Sequence, residues 1–247
     1  MQVIFNGWEH YSYLSHMGFF AMCGYNHGKD MGQACGGDHY LPITVLHKDE
    51  LIEKDFDKYE EMQDLIQRHV DRVSVVLARD PQKKSTMFDV LSFTIREMFR
   101  NVFEHSECED LYFCAQYWPK PNKVEFAVAD FGVGIRRALS RNPNFKFDKD
   151  KEALEYSLLP SVSGSTHEPR RSANWFNSGY GLYMTSRLAR NGGNFVIASG
   201  SSAICLTPKT KTNFLTSFRG TVLRVSLNVS EIGDVASRLA EFRKDAA

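Results

Sequence analysis

The chain reads as an α+β fold, and three observations carry that expectation. Apolar residues recur at three- and four-residue steps over two long stretches, one from Leu51 to Leu77 and one from about Thr86 to His105, the period of amphipathic helices. Two short aromatic or alternating segments, Leu111–Trp118 and Lys123–Asp130, flank Pro-Lys-Pro-Asn-Lys, which predicts an antiparallel hairpin. Further strand-like runs follow residue 193. At 247 residues the chain has room for one or two domains and for a sizeable core without disulfides. We expect one α+β domain over 49–247, preceded by an N-terminal extension over 1–48.

Composition narrows the function classes. Hydrophobic residues at 43% and charged residues at 24% are ordinary for a globular protein. Thirty Lys and Arg balance thirty Asp and Glu, so no global field favours nucleic acid or an acidic membrane. No run approaches the roughly 18 apolar residues of a spanning helix. The first ten residues lack the basic-then-apolar pattern of a signal peptide. Five cysteines without a CxxC pair suggest a reduced, cytoplasmic protein.

The elements follow in order. Residues 1–48 combine a short apolar run at Val3–Phe5, an aromatic-rich stretch from Tyr11 to Cys23, and a loop dense in glycine (Gly24, Gly28, Gly32, Gly36, Gly37) before Tyr40–Thr44. The loop has no period and is expected to be irregular. The helix at 49–79 stops at Asp80-Pro81, since proline cannot continue the turn. After the second helix and the hairpin, helical pattern returns weakly past Gly134 and around Ala153–Leu159. Residues 160–181 are rich in Ser, Gly, Asn and Arg and too long for an ordinary connection, as in a functional lid. A helix at Leu182–Arg190 ends at Asn191-Gly192-Gly193, a C-cap signal. Strands are expected at Asn194–Ser199, Ala203–Leu206 and Thr221–Val229, then a terminal helix at Ser230–Lys244 with Ser230 as N-cap.

Four pieces carry chemistry. On the second helix Glu97, Asn101, Glu104 and His105 fall along one stripe, while Met98, Phe99, Val102 and Phe103 face elsewhere. A polar stripe on so apolar a helix needs water or a ligand; a solvated face is the plain alternative. The strand Lys123–Asp130 runs into Asp130-Phe-Gly132-Val-Gly134, where glycines allow close backbone approach and the aspartate can accept from an exocyclic amine. Asn177-Ser-Gly179-Tyr-Gly181-Leu182 opens a helix whose N-terminal N–H groups favour anions. Gly220-Thr221 enters the last strand.

In this order and spacing the four pieces resemble the GHKL ATPase superfamily, which spans gyrase, chaperone and mismatch-repair ATPases, the ATP domain of histidine kinases and the anti-sigma-factor serine kinases. The resemblance covers roughly residues 86–229. It implies a two-layer sandwich, a mixed, mainly antiparallel sheet with helices on one face, and ATP held between helices and a lid at about 160–181. It implies Glu97 as general base, Asn101 as Mg²⁺ ligand, and Asp130 as the residue that reads adenine, with Gly132 and Gly134 in the adjoining turn. Gly179, Gly181 and the following Leu182 would meet the phosphates, and Thr221 would lie near adenine. Lid arginines Arg170 and Arg171 could reach phosphate, although exposed loop arginines are usually solvated.

Within the superfamily, the chain ends soon after the last strand, so we expect no transducer domain. His69-Val-Asp71-Arg lacks the proline of a histidine-kinase dimerisation helix. Glu97-x3-Asn101-x3-His105 is similar to the anti-sigma-factor kinases, which implies a soluble, Mg²⁺-dependent ATPase or protein serine/threonine kinase. The alternative is a nucleotide-gated module that binds ATP, closes its lid and dimerises with little turnover. Val3-Ile-Phe5 and Ser15-His-Met-Gly18-Phe faintly resemble a STAS domain, the usual substrate of such kinases, so we expect a partner-facing or dimer-facing element. Cys23-x3-His27 and Cys35-x3-His39 offer ligand types for zinc, but the short gap between them matches no common finger, and a loop without zinc is the expectation.

Overall fold

The computed structural model describes residues 7–35, 37–48, 58–164, 181–190 and 192–231. Five strands, β1 (Tyr40–His47), β2 (Asp110–Trp118), β3 (Lys123–Asp130), β4 (Asn194–Leu206) and β5 (Lys211–Asn228), form one sheet in the order β1-β2-β3-β5-β4. Every neighbouring pair is antiparallel. The helices are α1 (Ser12–His16), α2 (Phe19–Met22), α3 (Lys58–Ala78), α4 (Thr86–His105), α5 (Gly134–Leu139), α6 (Asp150–Tyr156) and α7 (Gly181–Arg190).

Alternation along the strands defines the core. Leu111, Phe113 and Ala115 of β2, Val124, Phe126 and Val128 of β3, and Leu223, Val225 and Leu227 of β5 are buried on one face. They pack with Ile66, Val70, Val73 and Leu77 of α3, Leu91, Ile95, Phe99 and Val102 of α4, and Leu188 of α7. The spacing of these helical positions is that of an apolar stripe. Between α3 and α4, the Asp80 carboxylate accepts from the backbone N–H groups of Gln82, Lys84 and Ser85. These bonds hold its pKa below the usual carboxylate value. Ser85 then caps α4 by accepting from Phe88 N at 3.1 Å. The hairpin between β2 and β3 closes through Asn122 N to Pro119 O, as its sequence predicts.

The sheet is antiparallel throughout rather than mixed, its last strand starts at Lys211 rather than Thr221, and further features depart from the expected pattern. The last part of the N-terminal segment is β1, which pairs with β2 through Thr44↔Phe113 and Leu46↔Leu111. It is a sheet edge, where Pro42 is tolerated beside a break in register between Leu41 and Thr44. Not all helices lie on one face: Tyr13 of α1 bonds Gln116 and its ring lies 6.0 Å from that of Trp118, both on the far face of β2. Those large side chains need cover, and the N-terminal segment supplies it. The expected strands at 194–199 and 203–206 form one strand, β4, bent at Gly200, where φ is +62° and the register shifts.

The terminal helix expected at 230–244 falls outside the described residues beyond a 3-10 turn at Val229–Glu231, as do Val3–Phe5. None of the described helices is long and apolar enough to cross a membrane. If β1 is integral to the sheet, Leu46→Ala, which empties a fully buried site, lowers unfolding free energy by about 2–5 kcal/mol in urea titrations. A loss below about 0.5 kcal/mol would make β1 an appendage.

Candidate functional site

Packing of α4 fixes its rotation. With Leu91, Ile95 and Phe99 fully buried against the sheet and α3, the stripe of Glu97, Asn101 and His105 is left facing a cavity. The sheet side of that cavity is Val128 and Asp130 of β3, Ile197 of β4, and Thr221 and Leu223 of β5. The start of α7 contributes Gly181 and Leu182; Gly134, Ile135 and Leu139 of α5 and the segment Val162–Gly164 complete the wall. The walls are thus largely apolar with a few convergent polar groups, the usual make-up of a small-molecule site.

Asp130 lies at the end of β3, opposite Thr221 of β5, and is only 3% exposed. Its Oδ1 accepts from Gly132 N at 2.9 Å. Burial pushes its pKa up to about 6, with backbone bonds from Gly132 and Thr221 opposing the rise. The loop after Asp130 is fastened at two points. Val133 N donates to Ser106 O, at the C-terminal end of α4, at 2.8 Å, and any Cβ at Gly132 would collide with that same oxygen. Ser199 Oγ accepts from Ile135 N and donates to Gly220 O. Gly134, at φ +74°, leaves room for this hydroxyl, which would stand 2.8 Å from a Cβ there. Gly132 itself does not line the cavity; its lack of a side chain is spent on protein backbone.

Glu97 is the other acidic group of the cavity, with a side chain 14% exposed. Arg100 Nη1 lies 3.1 Å from its Oε1, and Arg100 Nε lies 3.2 Å from Glu104 Oε1. Burial raises the pKa of Glu97, opposed by the neighbouring Arg100 guanidinium. His105, whose Nε2 lies 4.0 Å from Glu104 Oε2, has its pKa lowered by burial, which favours the neutral imidazole. The first residue of α7 presses on this group: a Cβ at Gly181 would stand 2.7 Å from Glu97 Oε2. The helix N-terminus and the carboxylate therefore share one end of the cavity.

The structure brings Glu97, Asn101, Asp130, Gly134, Gly181, Leu182 and Thr221 to one space. Gly179, Arg170 and Arg171 lie outside the described residues. Sequence reasoning passed over Arg100, although a Glu-x2-Arg-x3-Glu spacing places it within reach of both carboxylates along the helix. It also passed over Ser106 and Ser199, whose roles arise from contacts between distant segments and leave no local signal. Asn101 offers a hard amide oxygen at the Glu97 end, which fits Mg²⁺, an ion that takes few protein ligands and keeps several waters. Among the described residues no group of three or more His, Cys, Asp or Glu gathers at metal-binding distance. His27 is bonded to Ser15 Oγ at 2.9 Å with its ring tilted against that of Trp8, and His39 lies against Tyr117.

No protein-family model matches the chain, and no curated protein is significantly similar to it.

The Asp130 environment has a pH signature. A carboxyl harder to ionise when folded than when unfolded contributes its stability in full below the ordinary value of 3.8, and loses it as pH rises through about 6. Stability of the wild type relative to Asp130→Asn should therefore fall between about pH 4 and pH 6, by on the order of 1–3 kcal/mol. Urea unfolding of both proteins across that range checks this; parallel curves would contradict it.

Proposed function

We propose that the protein binds ATP with Mg²⁺ in this cavity and either hydrolyses it or transfers its γ-phosphate to a serine or threonine of a partner protein. The observation that supports this reading is the convergence on one concave space of the polar residues of α4, Asp130 at the end of β3, the N-terminus of α7 and Thr221 of β5.

Each group has a task that its surroundings suit. Asp130 is ionised above about pH 6, and an ionised carboxylate accepts the exocyclic amine of adenine. The apolar side chains of Val128, Ile135, Ile197 and Leu223 around it suit a planar ring. At the other end the N–H groups opening α7 favour phosphate, and Gly181 lets it approach closely. Asn101 is the residue that would hold Mg²⁺, which when bound neutralises charge on the phosphate oxygens.

Glu97 is the base. Its raised pKa makes it a better proton acceptor than an exposed glutamate, provided it remains ionised. It takes the proton of the attacking hydroxyl, from water or from the partner's side chain, as that oxygen bonds to the γ-phosphorus. The bond from the γ-phosphorus to the bridging oxygen breaks, and ADP leaves with that electron pair.

One observation favours the second reading, a nucleotide-gated interaction module with little turnover. The Glu97 carboxylate is engaged by Arg100 at 3.1 Å, and a base held in an ion pair is a weaker one. The two readings separate with γ-labelled ATP and Mg²⁺. Glu97→Gln should retain binding and reduce release or transfer of label at least a hundredfold. Binding by the wild type with no label released or transferred would favour the gated module, and no binding would overturn both.

A further inference from the structure

Past Thr221 the sheet changes character. β3 ends at Asp130, but β5 reaches back to Lys211, paired on one side with β4 through Ser202↔Leu215 and Leu206↔Lys211. On its other side no described strand pairs with Lys211–Arg219. The β4 half of this ribbon is covered: Ala203, Ile204 and Leu206 are buried, and Asp150 of α6 accepts from Ser201 N. The β5 half is open. Leu215 is 96% exposed and Phe214 49%. Phe218 lies against Phe131, itself 39% exposed, with ring centroids 5.6 Å apart.

A long strand edge with apolar side chains in water is what folded proteins normally cover or blunt. Here the charge pattern indicates what covers it. Lys209, Lys211 and Arg219 punctuate the segment, and no Asp or Glu lies between residues 207 and 219. Glu155 reaches Lys211 at 2.9 Å, which leaves Lys209, in the turn before β5, and Arg219 as the charges without a partner among the described ion pairs. Antiparallel pairing of two copies along this edge would bring their basic ends together with no acidic residue of the segment to answer them.

We infer that Lys211–Arg219 is a docking edge for an extended segment of a partner protein, with alternating apolar residues and carboxylates at its ends. The segment adds to the sheet as a strand in line with β3, its backbone bonding the open edge of β5, with side chains of one of its faces meeting Leu215 and those of the other meeting Phe214. It abuts the loop that follows Asp130, so an occupant would touch the rim of the cavity. The inference stands whether or not the cavity binds nucleotide.

The test uses the full chain and a fluorescein-labelled peptide, Glu-Glu-Val-Thr-Val-Tyr-Val-Thr-Glu-Glu, beside the same peptide with Lys for each Glu. Fluorescence anisotropy should show the acidic peptide binding at least tenfold more tightly than the basic one. Leu215→Glu and the pair Lys209→Glu with Arg219→Glu should each weaken it at least tenfold. These side chains are exposed, so far-UV circular dichroism should match the wild type. No binding, equal binding of the two peptides, or binding unaffected by Leu215→Glu would overturn the proposal. So would a reversible dimer in sedimentation velocity that Leu215→Glu abolishes, because a second copy would then be the occupant.

Discussion

Burial of one side of α4 against the sheet is the constraint on which the rest of the molecule depends. Leu91, Ile95 and Phe99 are all but inaccessible, and Phe99 meets Phe113 of β2 at 5.1 Å. Each such side chain contributes roughly 1.5–3 kcal/mol by leaving water, so the helix has one rotational setting. That setting decides where its polar residues go. Glu97, Asn101 and His105 are carried to the cavity by the same periodicity that buries the apolar rows.

The rim is then assembled from contacts between segments distant in the chain. Ser106 at the end of α4 holds the loop after Asp130, and Ser199 of β4 ties the start of α5 to Gly220 of β5. These bonds leave little freedom in the loop beside Asp130, whose burial is what raises its pKa. On α4 the charge arrangement is similarly enclosed: Arg100, with a side chain 5% exposed, bridges Glu97 and Glu104. Removing the guanidinium would take away the positive charge that two nearly buried carboxylates share, and that is the expensive way to break such a group.

Much of this could be read from the sequence, for reasons that differ by element. Helix α4 and strand β3 occupy the residues expected of them because their apolar spacing is strong and their ends are used as ends. β2 begins one residue earlier than expected. The sheet's outer parts were less legible. β1 follows a glycine-rich loop and contains Pro42, so its local chemistry argues against a strand, and only pairing with β2 makes it one. The overhang of β5 is exposed and largely polar, without the alternation that marks a half-buried strand. Within the site, the spacing of Glu97 and Asn101 and the position of Asp130 were visible as motifs. The need for glycine at 132 was visible too, but its cause, the oxygen of Ser106, lies in another segment. Arg100 was legible only as a spacing of three and four residues from Glu97 and Glu104.

The central claim is that this cavity is a nucleotide site read by Asp130. Isothermal titration of MgATP into the full chain at pH 7.5, with Asp130→Asn alongside, tests it most directly. The account predicts one nucleotide bound per chain, at least tenfold more weakly by the variant, because the amide in place of the carboxylate is a poorer acceptor. Absence of binding by the wild type, or equal affinity in the two proteins, would contradict it.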